Sequence, residues 1–142
     1  MLYYEIIVDL RNNRNNNLLS LMERLTQPEE DAMQVLWHSN GGFIKEVLER
    51  LPEPRPPYTT LASTVRNLER KGYVRAEKLG NSYRFVPVVS ADDYQRRSLG
   101  TLVQQHFQNS YKDLVSFFAQ DNKISTADLQ DIIKLIESKK AE

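Results

Sequence analysis

The order of the periodic segments constrains this chain more than any other feature of its sequence. Three segments with the apolar spacing of helices come first, and two β-prone runs at residues 73–78 and 82–87 follow them. Leu79-Gly80-Asn81 separates the two runs and predicts the turn of a hairpin. The order helix, helix, helix, hairpin predicts a mainly helical domain with a small β-hairpin.

Local signals predict where the three helices begin and end. A capping-box pattern at residues 26–29 starts the first helix, and Asn40-Gly41-Gly42 ends it. The second helix stops at Pro52, and the third spans residues 58–71 before Gly72, a C-terminal cap. The residues predicted to face the core are Ala32, Met33, Leu36, Trp37, Ile44, Val47, Leu48, Leu51, Leu61, Ala62, Val65 and Leu68.

Composition excludes several classes of protein. Of the 142 residues 40% are hydrophobic and 27% charged, as in a globular protein with its own core. There is no cysteine, and the two histidines, His38 and His106, are far apart, so we expect no metal site and no cofactor. Ser63 and Ser82 have no base near them that could activate a nucleophile, which argues against an enzyme. No apolar run approaches the roughly 20 residues of a membrane span, and we expect a cytoplasmic protein.

The charge of the chain is balanced overall but unevenly distributed. The 19 basic and 19 acidic side chains cancel. Residues 55–84 nevertheless hold seven basic and two acidic side chains, and residues 22–54 hold three basic and seven acidic ones. Positive charge is therefore concentrated on the third helix and the hairpin, where a winged helix-turn-helix binds DNA.

The third helix carries hydrogen-bonding groups opposite its apolar side. At 100° per residue, the side chains from Thr59 to Arg70 that face away from the core are hydroxyls, arginines and one asparagine. Arginine can pair with guanine and asparagine with adenine, while Lys78, Asn81 and Arg84 of the hairpin can contact phosphates. The predicted DNA-binding residues are Tyr58, Thr59, Thr60, Ser63, Arg66, Asn67, Arg70, Lys78, Asn81 and Arg84. An alternative is a winged-helix module that binds an acidic protein and no specific DNA.

Beyond Ser90 the chain predicts three more helices. Capping patterns lie at residues 90–93 and 125–128, and Asp121-Asn122-Lys123 is a break. So small a unit cannot enclose its large apolar groups, which implies a second copy of the chain as partner. The predicted dimerisation residues are Leu99, Leu102, Val103, Phe107, Leu114, Val115, Phe118, Leu129, Ile132, Ile133 and Ile136.

These observations divide the chain into three parts. Residues 22–89 are predicted to form the winged-helix DNA-binding domain, and residues 90–142 the helical dimerisation domain. Residues 1–21 form an N-terminal extension with a polar RNNRNNN tract. The extension is either a strand packed on the body or a stretch upstream of a natural start at Met22.

The sequence resembles the penicillinase-repressor family of bacterial winged-helix repressors from about Met22 to Glu142. The resemblance is carried by LTQPEEDAMQVLW in the first helix and by STVRNLERKGYVRAEKLGNSYRFVPVVS across the third helix and the hairpin. The hairpin of residues 73–87 is called the wing from here on. DLVSFF and ISTADLQDIIKLIE carry it in the C-terminal region. The resemblance implies a homodimer that binds a palindromic operator, blocks transcription and inserts into no membrane. It also implies relief by cleavage in the dimerisation region, triggered by a membrane-bound sensor protease.

Three departures from the family pattern bear on regulation. Copper-sensing members carry cysteines near the C-terminus, and this chain has none, so copper sensing is not expected. The resistance repressors are cleaved at an Asn-Phe bond, whereas Thr101-Leu102 stands at that place here. Cleavage therefore either uses another bond or does not apply. Many relatives have arginine after the wing glycine, where this chain has Asn81 after Gly80, which weakens or removes a phosphate contact.

Overall fold

A computed structural model describes residues 23–140, and the predicted extension of residues 1–21 lies outside them. The described residues form six helices and three short strands, so the prediction of a mainly helical fold with a small hairpin is confirmed. The elements are α1 (Gln27–His38), β1 (Gly42–Phe43), α2 (Ile44–Arg50), α3 (Tyr58–Lys71), β2 (Val74–Leu79), β3 (Ser82–Pro87), α4 (Ala91–Phe107), α5 (Tyr111–Gln120) and α6 (Thr126–Lys140).

The first helix begins at the predicted capping box. The Thr26 hydroxyl accepts a hydrogen bond from the Glu29 backbone N–H, and the Glu29 carboxylate accepts one from the Thr26 N–H at 2.8 Å. Burial of Ala32, Met33 and Leu36 fixes the inward side of α1. The cap explains where α1 starts, and the apolar spacing explains which side of α1 faces the core.

The third helix ends where the sequence predicts. Gly72 is the C-terminal cap with φ of 87°, in the left-handed region that glycine enters without steric cost. The backbone N–H of Tyr73 then returns to the Leu68 carbonyl at 2.9 Å. Leu61, Val65 and Leu68 are buried, which leaves the opposite side of α3 exposed.

The sheet contains a strand that the sequence pattern did not predict. Its order is β1-β3-β2, and both pairs are antiparallel. The predicted hairpin is confirmed, with Leu79 opposite Ser82 and a two-residue loop between them. In β1, Gly42 pairs with Phe85 and Phe43 with Arg84. Two residues are too few to show alternation, so the sequence indicated only a helix end at Gly41-Gly42.

The core lies between α1, α2, α3 and the sheet. Tyr73, Phe85, Met33, Leu36 and Leu68 are among its largest fully buried side chains. Trp37 packs against this cluster, as predicted, and its indole N–H donates to the Val89 carbonyl at 2.8 Å. The core thus holds α3 and the hairpin on one body.

The described residues fall into two compact units that divide between Arg97 and Ser98, within α4. In the first unit, the Tyr94 ring lies 5.4 Å from that of Trp37, and Arg97 donates to the Tyr73 hydroxyl. The first two turns of α4, about seven residues, therefore pack with the winged helix.

The second unit, residues 98–140, contains the rest of α4 together with α5 and α6. Ser110 caps α5 by accepting from the Asp113 N–H at 3.1 Å. Ser125 caps α6 in a reciprocal pair with Asp128, as the sequence predicts. Asn122 has φ of 58° and marks the predicted break between these two helices.

Candidate nucleic-acid interface

The outer side of α3 presents the polar residues that the sequence predicted. Its apolar side is anchored by Leu61, Val65 and Leu68, so the side chains half a turn away must face solvent. The exposed residues on this side are Thr59, Thr60, Ser63, Arg66, Asn67 and Arg70, with Tyr58 exposed at the first turn. One helix face therefore groups hydroxyls, an amide and two guanidinium groups.

The N-terminus of α3 adds backbone donors to this face. Its N-cap is Pro57, which provides no side-chain hydrogen bond to the first turn. The first N–H groups of a helix have no partner within the helix, and they lie at the positive end of its dipole. Beside Thr59 and Thr60, these groups suit a phosphate oxygen.

The predicted wing residues separate onto two faces of the hairpin. Lys78 lies opposite Tyr83 and is exposed, and Asn81 is exposed in the loop. Arg84 lies opposite Glu77 on the other face. Its guanidinium donates to the Asn40 carbonyl at 2.9 Å and lies 3.9 Å from the Glu77 carboxylate. Lys78 and Asn81 are thus accessible to a ligand, while Arg84 ties the wing to the end of α1.

Arg66 lies between α3 and the wing. Its guanidinium carbon is 5.2 Å from the ring centroids of both Tyr83 and Phe85, and a guanidinium nitrogen is 3.2 Å from the Glu69 carboxylate. An open groove of about 620 Å³ runs beside it, lined also by Tyr58 and Asn81. The groove brings together the start of α3 and the tip of the wing.

Three residues of this groove were not predicted from the sequence. Phe43 of β1, Lys45 of α2 and Tyr83 of β3 line it as well. Lys45 stands in the acidic segment of the sequence, and only the pairing of β1 with β3 brings it near the wing. The β-prone Phe43 directly after two glycines was the one local signal for that strand.

Most cations of the basic segment pair with carboxylates. Arg66 pairs with Glu69, and Arg70 lies 3.5 Å from Glu23. The remaining pairs are Arg55 with Glu53, Arg75 with Glu77, Arg84 with Glu77 and Lys71 with Glu29. Among the basic residues from 66 to 84, Lys78 alone has no carboxylate partner within the part of the chain that the structure describes.

The Lys71–Glu29 pair is internal. The Lys71 ammonium donates to the Glu29 carboxylate at 2.7 Å and to the Arg24 carbonyl at 2.9 Å. The side chains are only 9% and 4% exposed, so Lys71 is not available to a phosphate. Burial raises the pKa of the Glu29 carboxyl, but hydrogen bonds from Lys71 and Thr26 lower it more, and this pKa lies below its ordinary 4.5.

The second unit exposes much of its predicted apolar set. Leu99, Leu102, Val115, Phe118, Ile132, Ile133 and Ile136 are exposed, and Phe107, Leu114 and Leu129 are half-buried. Val103 is fully buried in the single chain, so it does not belong to this surface. Phe117 and Leu135 are exposed as well, although they were not predicted.

The fold and the polar helix face define a winged-helix DNA-binding protein. A family model described as penicillinase repressor matches residues 25–138, and the chain belongs to that family. The resemblance noted from the sequence is thereby confirmed, and the family is one of DNA-binding transcriptional repressors and not of enzymes. No curated protein matches the chain.

No helix among residues 23–140 is long and apolar enough to cross a membrane. In that range, no three histidine, aspartate or glutamate side chains come together as metal ligands would.

Proposed function

We propose that this protein represses transcription as a homodimer on a palindromic operator, with α3 of each protomer in a major groove. One observation carries the proposal: α3 buries Leu61, Val65 and Leu68 and exposes an unbroken polar face on its other side. Base edges in the major groove are recognised by such donors and acceptors. Because this proposal has the protein act on operator DNA, it also implies that the protein works in the cytoplasm.

The wing and the first turn of α3 support the proposal by offering phosphate contacts. Lys78 and Asn81 project at the wing tip, and the uncapped N–H groups after Pro57 lie at the other end of the groove. Contacts to phosphates on both sides of a recognition helix fix its orientation in the major groove. Asn67 is then free to reach a base edge.

The exposed apolar surface of the second unit supports the homodimer. Large apolar groups such as Phe117, Ile133 and Leu135 are about half exposed in the single chain. A monomer that left all of these groups in water would expose an unusually large apolar area for so small a unit. A second copy would cover it and place two recognition helices on the two halves of a palindrome.

Relief of repression by cleavage in the dimerisation region, triggered by a membrane-bound sensor protease, is the regulatory part of this proposal. Thr101-Leu102 lies inside α4, and its backbone must unwind before a protease can bind it. Cleavage there would separate the recognition helix from α5 and α6. The mass of the protein recovered before and after induction tests this part, and an unchanged full-length chain after induction would contradict it.

The experiment that tests the proposed function is fluorescence anisotropy with a duplex from the region upstream of the protein's own gene. A scrambled duplex is the comparison, and both are titrated over a series of salt concentrations. Preferential binding of the upstream duplex with a steep loss of affinity in salt is the expected result. Equal, weak binding to both would contradict self-regulation and favour another operator or a protein partner.

Asn67→Ala is expected to weaken binding to the operator by about 1–3 kcal/mol. The Asn67 side chain is exposed and forms no hydrogen bond within the described part of the chain, so its loss should leave the fold unchanged. A bidentate asparagine contact discriminates one base pair, and the preference at that pair should be relaxed. Binding to a full set of single-base operator variants measures this, and an unchanged preference at every position would contradict the assignment.

Lys78→Ala is expected to weaken binding to operator and scrambled duplex equally. Lys78 is the one cation of residues 66–84 with no carboxylate partner among the described residues. Loss of one phosphate contact should reduce the slope of log K against log salt by roughly one. A mutant with the wild-type slope would show that the wing tip does not contact the backbone.

A further inference from the structure

Arg66 departs from the role that its helix position suggests. A base-reading arginine must extend its guanidinium away from the protein, with the donor edge free for guanine. Here the guanidinium lies over the faces of Tyr83 and Phe85, both 5.2 Å away, and pairs with Glu69 on the next turn of α3. These contacts direct it toward the wing.

The two rings connect Arg66 to different parts of the wing. Phe85 is fully buried in the core, whereas Tyr83 lies nearer the tip, is exposed and pairs with Lys78. Leu79 and Asn81 beyond it are exposed too. The distal wing therefore has little burial to hold it, and the contact of Tyr83 with Arg66 joins it to α3.

We propose that Arg66 is a positioning residue that holds the wing at a fixed distance from α3, and that it does not read a base. A guanidinium is suited to this because it is planar and delocalised and can stack on a ring while its edge bonds a carboxylate. By fixing Tyr83, Arg66 also fixes the neighbouring Lys78, whose phosphate contact belongs to the proposed function. The claim about DNA rests on that proposed function, and the claim about the wing does not.

Hydrogen exchange of the free, full-length protein tests the claim about the wing. Arg66→Ala should accelerate exchange of amides between Lys78 and Tyr83 by roughly two- to fivefold, the factor that one exposed cation–π contact represents. Tyr83→Leu should do the same, and the double variant should show no further increase, since both remove one contact. Asn67→Ala is the matched control and should leave the wing unchanged. Wild-type exchange in Arg66→Ala, or additive effects in the double variant, would overturn the proposal.

Arg66→Lys separates shape from charge. Lysine keeps the charge but lacks the planar surface, so its wing exchange should resemble that of Arg66→Ala. Exchange at the wild-type rate would overturn the proposal, because it would show that charge alone suffices.

Binding to DNA provides the second readout. Arg66→Ala should weaken operator and scrambled duplex by the same factor, with the preference at every base pair retained. A relaxed preference at one base pair would overturn the proposal and restore the base-reading role. If the wild-type protein bound no specific duplex, the proposed function would fail, and hydrogen exchange would still decide the claim about the wing.

Discussion

The I132E/I136E double variant is expected to be a monomer in solution. Ile132 and Ile136 are 42% and 51% exposed in the single chain and lie one turn apart on α6. A dimer interface would bury both carboxylates without partners, at a cost that exceeds the gain from the remaining apolar contacts. Sedimentation analysis measures the mass. Loss of the second recognition helix should weaken operator binding by about 10²- to 10⁴-fold.

A matched control comes from the same helix. Lys134 is exposed and lies about 160° around the helix from both Ile132 and Ile136, so Lys134→Glu adds a carboxylate to the opposite side. This variant should remain dimeric and bind the operator with wild-type affinity. Circular dichroism confirms that all variants keep their helices. A folded double variant that still sediments as a dimer would place the interface elsewhere.

Lys71→Met is expected to lower the free energy of unfolding by about 3–5 kcal/mol. Methionine keeps the approximate length of the buried side chain. It leaves both the Glu29 carboxylate and the Arg24 carbonyl without the ammonium group that donates to them. Removing one partner of a buried pair costs more than the pair contributes, because an uncompensated charge stays inside. Urea unfolding at neutral pH measures the loss.

Arg70→Ala provides the comparison for an ion pair in solvent. Arg70 and Glu23 lie 3.5 Å apart with both side chains 62% exposed. Such pairs contribute about 0–1 kcal/mol, so this variant should unfold close to the wild type. Equal losses for Lys71→Met and Arg70→Ala would contradict the distinction between the internal and the exposed pair.

The same internal pair predicts how stability depends on pH. Because the pKa of Glu29 is lowered in the folded protein, its contribution is complete above the ordinary value of 4.5. That contribution is lost as the pH falls through the lowered pKa, where Glu29 is protonated and its bond to Lys71 weakens. Glu29→Gln removes this dependence, so the stability difference between wild type and variant should shrink on acidification. A stability difference between wild type and Glu29→Gln that stayed constant from pH 7 to pH 3 would contradict the assignment of this pH dependence to Glu29.

The local structure of this protein follows closely from its sequence. Hydroxyl and carboxylate groups three residues apart at Thr26 and at Ser125 predicted two helix starts, and both caps are present. Gly72 predicted the end of α3 because its backbone enters the left-handed region. These features depend on neighbours within one helical turn, so a linear pattern contains all the information that specifies them.

What the sequence left undetermined depends on contacts between distant residues. Glu29 and Lys71 are 42 positions apart, and nothing near either of them predicts that they pair inside the fold. The sequence predicts that Arg66 and Arg84 are exposed cations. In the structure, Arg66 lies over aromatic rings of the wing, and Arg84 donates to the Asn40 carbonyl. Helical periodicity assigns a side chain to a face, whereas its final direction depends on which groups the tertiary structure brings within reach.

The carboxylates beside the arginines of α3 and the wing have a consequence for the search for an operator under the proposed function. Affinity for random duplex comes almost entirely from cations that displace counterions from phosphates. Glu23, Glu69 and Glu77 neutralise part of that charge. We therefore expect a short residence time on each random site and a larger fraction of molecules free to diffuse between sites. A small number of copies per cell would then suffice to keep one promoter occupied.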